Sequence, residues 1–397
     1  MKKIALVLFG EIINNSGGAI KVLCEMANAL TERGYKCTII CCDGRKGNLF
    51  FPLSEKVEII DLACGSKDSF IFRSIKKVKR EILRFFKILD KEKMSIELRY
   101  GGIIKKKFYN TLLKINPDVV ITYDTAPVVL LNEYKNLNIP VISMVHTKAK
   151  FVFNNNTSQT LLKAYNNVDI IQVLNHDDEN EINKYLKVPV IYIPNAVKSI
   201  DYTKDYDNCN NIITTIGRIN EGSKQQHVLI EAFNILKKEF PEWTLEIWGG
   251  TASSAQENYK KMMIEYIHKN NLEEQVKFMG ETKEVYYNLK RSDIFVLPSK
   301  KEGMPLTLME AMSVGVPAIG YKSCLENTNL IVNNKNGFLV EDGIEDLANK
   351  LRVLMKNKNL RKDFGINGKK SIEKFSPDRV WDEWEDIIIK LISKNNK

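Results

Sequence analysis

The chain has 397 residues, 44% of them hydrophobic and 27% charged, a soluble globular composition with room for two cores of roughly 150–200 residues each. Met1-Lys2-Lys3 before Ile4–Phe9 imitates a signal peptide, but the apolar run stops at Gly10-Glu11. No later run reaches the ~18–20 apolar residues of a membrane span. The net charge of +10 sits in one window, since Lys67–Lys114 holds 15 Lys/Arg against 5 Asp/Glu and the remainder is neutral. Seven scattered cysteines with no Cys-x2-Cys pair exclude a disulfide scaffold and a zinc site, and read as buried thiols.

Ile4–Phe9 is predicted as a strand that leads through Asn14-Asn15-Ser16-Gly17-Gly18 into an amphipathic helix from Ala19 to about Arg33. A glycine pair there lets the backbone approach a ligand, and the helix N-terminus behind it attracts anions; a plain turn would use the same residues. Tyr35–Cys42 and Val57–Ile60 are the next strands. From Phe70 to Leu89, apolar residues recur at helical spacing among Lys76, Lys77, Lys79, Arg80, Arg84 and Lys87, and Lys105-Lys106-Lys107 follow on a second helix. Two readings stand for the window Lys67–Lys114: a core-facing stripe with a solvated basic back, or attachment to an anionic membrane surface. Nucleic acid is disfavoured as a partner, because the aromatics lie on the apolar helix face, where they pack rather than stack on bases. Asp118–Thr122 and Val141–Val145 are buried strands, with His146 at the carboxyl end of the second. A lone His at a strand end serves packing as readily as chemistry. Asp169–Leu174 and Val190–Ile193 complete the alternation, and the polar stretch Lys198–Asn211 reads as a linker.

In the second half, Asn211–Ile216 is a strand running into Gly217-Arg218, and Lys224 is expected at the start of a helix carrying Val228, Leu229, Ile230, Phe233 and Leu236. The paired donors of an Arg and the compact charge of a Lys together suit a diphosphate. Trp243–Trp248 ends in Gly249-Gly250, and Gln275–Met279 ends in Gly280. Ile294–Leu297 is a short buried strand with Pro298 and Ser299 behind it. Glu302-Gly303-Met304-Pro305 is turn chemistry, with Pro305 suited to the first turn of a helix. Leu306, Leu308, Met309 and Met312 supply that helix with an apolar face, and Gly315-Val316-Pro317 stop it. Glu302 therefore stands on a loop and Glu310 a turn and a half into a helix, where both can face the crevice outside the carboxyl ends of parallel strands. Two solvated glutamates on a surface helix are the competing account.

The stretch Val296–Pro317, with Pro-Ser ahead of a Glu-x7-Glu, Gly-x-Pro inside it and Ala-Met-x-x-Gly-x-Pro after it, resembles the signature of retaining glycosyltransferases of family 4. The resemblance covers nearly the whole chain, most strongly Gly217–Val340. It implies an α/β fold of GT-B type, two Rossmann-like doubly wound parallel-sheet domains facing each other across a cleft. The implied domains are 1–197 for the acceptor and 198–376 for the nucleotide sugar, with a final helix, 377–397, crossing back. Pro194-Asn195-Ala196-Val197 resembles the family's hinge-side Pro-Asn-Gly-Val, with Ala for Gly.

By the same resemblance, Glu302, His146, Arg218 and Lys224 are the implied catalytic residues. Gly17, Gly18, Gly217, Arg218, Lys224, Gly249, Gly280, Ser299, Glu302, Gly303, Met304, Pro305, Leu306 and Glu310 are the implied donor contacts, with Glu310 on the ribose hydroxyls. Lys322-Ser323-Cys324-Leu325-Glu326-Asn327 departs from the Gly-rich phosphate loop expected after Ala318–Tyr321. No Asp-x-Asp is placed to hold Mg²⁺, so no metal and no cofactor are expected, with the nucleotide-diphosphate sugar as co-substrate. A UDP-sugar is favoured and GDP-mannose stands second, with a glycan or lipid-linked acceptor at the cytoplasmic, inner face of a membrane. The competing functions are a nucleotide-sugar epimerase of the same fold, and an inactive scaffold that binds membrane or polyanion.

Overall fold

The structure, a computed structural model, describes residues 1–63, 95–96, 99–134, 136–202 and 204–395. The predicted helix Phe70–Leu89, with most of the basic window Lys67–Lys114, lies outside the described residues. The chain divides into two compact units: Met1–Pro194 together with the chain from Trp381 onward, and Asn195–Val380.

The first unit is a seven-stranded parallel sheet: β1 (Lys3–Leu8), β2 (Lys36–Cys41), β3 (Glu58–Asp61), β4 (Val119–Thr122), β5 (Val141–Val145), β6 (Ile170–Val173) and β7 (Val190–Tyr192). Their order is β3-β2-β1-β4-β5-β6-β7. The strands read as apolar runs because they are covered on both faces. Ala5, Val7 and Phe9 join one packed cluster with Val120, Val128, Leu161 and Ile171, while Ile4 and Leu6 are equally buried. Helix Gly18–Glu32 follows β1, and helices Ile103–Ile115 and Thr125–Asn132 flank β4. The last helix, Pro377–Asn395, buries Val380, Trp381, Trp384, Ile388, Leu391 and Ile392. That is the three- and four-residue spacing of one helix face. Arg33 ties the first helix to it, 3.0 Å from Asp382 and 3.4 Å from Glu385.

The second unit is a six-stranded parallel sheet: β8 (Ile212–Ile216), β9 (Thr244–Trp248), β10 (Val276–Gly280), β11 (Ile294–Leu297), β12 (Ala318–Tyr321) and β13 (Gly337–Val340). Its order is β10-β9-β8-β11-β12-β13. Period-two alternation sorts the side chains: Ile294, Val296 and Ile319 face one core, and Phe295, Leu297 and Ala318 face the other. The polar stretch 198–211 is packed against this unit. Lys204 is buried and donates to the Lys290 carbonyl at 3.2 Å. The Tyr206 hydroxyl donates to the Gly315 carbonyl at 2.8 Å. In both units the strand order reverses beside the first strand, so β1/β4 and β8/β11 are the switch points outside which open parallel sheets bind ligands.

Candidate active site

At the β8/β11 switch point the loops following the two strands are tied together. Lys300 N–H donates to the Ser223 carbonyl at 2.8 Å. Asn220 shapes the first loop: its carbonyl accepts Lys224 N–H at 2.9 Å, and its Oδ1 accepts Ser223 N–H at 2.9 Å and Ser223 Oγ–H at 3.0 Å. The helix starts at Gln226, after Gln225 takes a left-handed φ of 45°. Lys224, expected at the start of the helix, therefore stands in the loop, two residues ahead of the observed start at Gln226. From there Lys224 Nζ reaches Glu302 Oε1 at 2.5 Å, with side-chain exposures of 21% and 11%.

Glycines bring the backbone close around this pair. A Cβ on Gly249, at φ +146°, would lie 1.9 Å from the Gly217 carbonyl oxygen, and one on Gly217 would lie 3.4 Å from Lys224 Cε. Gly217 N–H donates to the Trp248 carbonyl at 2.9 Å, and Gly249 N–H to the Gly280 carbonyl at 2.8 Å. The ends of β8, β9 and β10 are thus stitched side by side, with no side chain between Gly217 and Gly249. Arg218 is exposed, and its carbonyl accepts Gln226 Nε2–H at 2.9 Å.

Along the Glu302 loop, Ser299 is fully buried and its Oγ has no hydrogen-bond partner. Gly303 continues the turn. Met304 Sδ accepts Asn195 N–H at 3.2 Å, which ties the loop to the segment where this unit begins. Pro305 occupies the cap position, one residue earlier than its expected place inside the first turn, with φ −76° and ψ 92°. Leu306 opens helix Leu306–Ser313, and Glu310 on that helix is 2% exposed. The loop after β12 forms a short helix, Leu325–Thr328. Its buried Cys324 thiol donates to Glu326 Oε2 at 3.3 Å, and burial pushes that thiol up to about 12, with the Glu326 carboxylate adding to the shift.

At the carboxyl edge of the first sheet, Gly17 caps helix Gly18–Glu32 with φ −69° and ψ 146°, and its N–H donates to Asn15 Oδ1 at 2.9 Å. His146 follows β5 and stacks on Tyr123, the ring centroids 5.1 Å apart. Its Nε2 is covered and has no partner, and burial alone depresses its pKa to about 4. Asp124 is a residue that sequence reasoning missed. It sits before helix Thr125–Asn132, where an Asp reads as an ordinary cap, yet its side chain makes no cap bond. Instead Oδ2 accepts Phe9 N–H from the end of β1 at 3.0 Å, and Oδ1 is buried without a partner. Burial raises its pKa to about 7, against the lowering effect of the Phe9 bond.

Chemically, the second unit offers a cation and a carboxylate side by side on close-packed backbone. That arrangement can hold a phosphate and a hydroxyl-bearing group next to each other. Among the described residues no group of His, Cys, Asp or Glu is gathered to hold a metal ion, and no helix is long and apolar enough to cross a membrane.

Two family models match the chain: "Glycosyltransferase Family 4" over residues 16–199 and "Glycosyl transferases group 1" over residues 204–371. An uncharacterized glycosyltransferase of Haemophilus influenzae is 26% identical, covering 98% of this chain and 100% of that protein. A Campylobacter jejuni alpha-1,4-N-acetyl-D-galactosaminyltransferase, which acts on an undecaprenol-diphosphate-linked GalNAc glycan, is 24% identical over 95% of this chain and 96% of its own length. Among solved structures, a point mutant of S. aureus TarM in complex with fondaparinux, alpha-GlcNAc-glycerol and UDP superposes with a TM-score of 0.76 at 17% identity, covering 98% of this chain and 100% of that one. With two doubly wound parallel sheets and matches along both units, the chain belongs to glycosyltransferase family 4 and has the GT-B fold.

Proposed function

We propose that this glycosyltransferase moves a hexose or N-acetylhexosamine from a nucleoside diphosphate sugar, a UDP-sugar first and GDP-mannose second, to a glycan or lipid-linked acceptor of a bacterial surface polysaccharide. The observation that carries the proposal is the Lys224 Nζ–Glu302 Oε1 pair, 2.5 Å apart at the β8/β11 switch point. The departing group is a dianionic diphosphate, so the protein lowers the barrier most by stabilising that charge electrostatically. Lys224 and Arg218 carry that charge, Glu302 takes sugar hydroxyls near the anomeric carbon, and Glu310 takes the ribose. Transfer proceeds with retention, the leaving phosphate accepting the acceptor's proton, and without a divalent ion. The C. jejuni and S. aureus relatives support a polysaccharide or lipid-linked acceptor and a UDP donor.

The test is nucleoside diphosphate release from a panel of UDP- and GDP-sugars, with and without a lipid-extract acceptor, using Glu310→Ala as control. Release from one donor, raised by acceptor and weakened in the control at donor concentrations below KM, supports the proposal. No release and no nucleotide binding would overturn it. An inverted anomer by NMR would remove retention, and activity abolished by chelator and restored by Mn²⁺ would remove metal independence.

The acceptor side extends to an anionic membrane surface. In the described part of the basic window, helix Ile103–Ile115 exposes Ile103, Lys106, Asn110 and Leu113 along one face, with Lys114 beside them. Mixed apolar and basic exposure is the pattern of an interfacial helix. Co-sedimentation with anionic but not zwitterionic vesicles is the expected result, and equal binding to both would refute it.

A further inference from the structure

The loop between β1 and its helix carries an ion-pair network that the proposed transfer chemistry leaves unused. Asp43, just after β2, puts one carboxylate oxygen on two consecutive backbone donors, Ile12 N–H at 2.6 Å and Ile13 N–H at 2.7 Å. Its other oxygen takes Arg45 Nε at 2.6 Å. The same guanidinium donates to the Ile13 carbonyl at 2.7 Å and pairs with Glu11 at 3.3 Å. Asp43 is in turn held by Asp61, whose carboxylate accepts Asp43 N–H at 3.0 Å and Gly44 N–H at 2.7 Å.

Backbone contacts continue the clamp. Ile13 bridges Leu49 in antiparallel fashion, and Asn14 N–H donates to the Asn48 carbonyl at 3.0 Å. Gly47, at φ +144°, leaves room for Ile13: a Cβ there would lie 2.8 Å from Ile13 Cγ2. Asn15 passes the order on, its Nδ2–H on the Glu11 carbonyl at 2.7 Å and its Oδ1 on Gly17 N–H. The chain of contacts ends on the cap of the glycine-started helix.

This network orders an exposed loop around one buried anchor, Ile12. Glu11, Asn14 and Ser16 are exposed, yet the Asp43 side chain that holds the backbone of Ile12 and Ile13 between them is 1% exposed. Burying a carboxylate is costly, and apolar packing would give stability with less desolvation. What the carboxylate supplies is a fixed backbone path. Arg45 and the two N–H groups outweigh burial and hold its pKa below the usual carboxylate range.

We propose that Asp43, locked by Arg45, is a positioning residue for glycosyl transfer: it sets the path of the loop Gly10–Gly17 and so the placement of Gly17 and Gly18 against the donor sugar. The inference rests on the reading that those glycines meet the donor. The experiment compares Asp43→Ala, Asp43→Asn and Gly47→Ala with the full-length wild type. It measures kcat and KM for the donor, Kd for the nucleoside diphosphate alone, and amide exchange of residues 10–17.

Asp43→Ala and Gly47→Ala are expected to lower kcat about 10- to 100-fold, the scale of a misplaced contact, with nucleoside diphosphate Kd within about 2-fold. Asp43→Asn, whose side-chain oxygen still accepts both N–H groups but whose amide nitrogen cannot accept Arg45 Nε–H, restores part of kcat. Exchange at Ile12 and Ile13 accelerates in Asp43→Ala alone of the two Asp43 variants. Wild-type kcat in Asp43→Ala, an Asn variant as impaired as the Ala one, or nucleotide affinity falling in step with kcat would each overturn the proposal. Should the wild type release no nucleotide from any donor, the transfer reading fails by itself. Exchange then decides whether Asp43 holds the loop.

Discussion

At the strand ends of the second sheet, Lys224 and Glu302 pair with each other at 2.5 Å and remain partly open to solvent. At the matching ends of the first sheet, Asp124 and His146 each keep a buried polar atom without a partner, and burial pushes both toward their neutral forms. The two sheets share a switch-point topology, so the backbone does not account for the difference. Side chains at equivalent strand ends do. Beside β8 and β11 a charged pair lies partly open, and beside β4 and β5 polar groups lie shielded without partners, while Asp43 after β2 is tied to Arg45 and to backbone.

The comparison breaks first if the charged edge is dispensable. Lys224→Met and Glu302→Gln are each expected to lower kcat/KM for the donor by about 10²–10³-fold, the usual cost of losing one preorganised electrostatic contact. Nucleoside diphosphate release measures it, and a loss under about 5-fold would show that the pair is structural. Next in size is Gly249→Ala. Its Cβ would collide with the Gly217 carbonyl, so a loss of roughly 1–3 kcal/mol or more is expected by chemical denaturation. An unchanged midpoint would mean that the stitched strand ends yield. Glu310→Ala is expected to raise KM for the donor about 10-fold, in line with a lost hydrogen bond to a charged group, with a smaller change in kcat.

The shielded edge makes the smallest prediction, and its signs are opposed. Asp124 has a folded pKa of about 7 against about 3.9 when unfolded. Between those values the native state keeps a proton that the unfolded chain has lost, so stability falls as pH rises. His146 has a folded pKa of about 4 against about 6.5 unfolded. Over that range the unfolded chain binds the extra proton, so stability falls as pH drops. The two slopes, each up to ~1.4 kcal/mol per pH unit, oppose one another between about pH 4 and 6.5. Asp124→Asn should therefore show a melting temperature that climbs with pH across this range relative to wild type. His146→Gln should show one that declines. Parallel profiles for the two variants would mean that neither group is shielded as described.

Much of the fold was legible because parallel strands covered on both faces leave unbroken apolar runs. Val141–Val145, Ile294–Leu297 and Ala318–Tyr321 have the predicted limits in the structure. Helix starts were less legible. Lys224 was expected at the head of a helix, but Asn220 folds the chain back on itself and Gln225 adopts a left-handed φ that its residue type does not announce. Neither Asp124 nor Asp43 stands out in the sequence, because local sequence carries no sign of the neighbouring strand each one serves. Both bind the loop or strand end that follows β1, more than 25 residues away in sequence.

Periodicity and turn residues carry the alternating strands and helices and put Glu302 and Glu310 eight residues apart on a loop and its helix, and the family entered through the resemblance of Val296–Pro317 to its signature. The state of the polar groups is set by packing. Whether a carboxylate pairs with a lysine, as Glu302 does, clamps a distant backbone, as Asp43 does, or loses its solvent, as Asp124 does, depends on desolvation and on partners brought in by packing. Both are properties of three-dimensional neighbours, and the order of residues along the chain does not contain them.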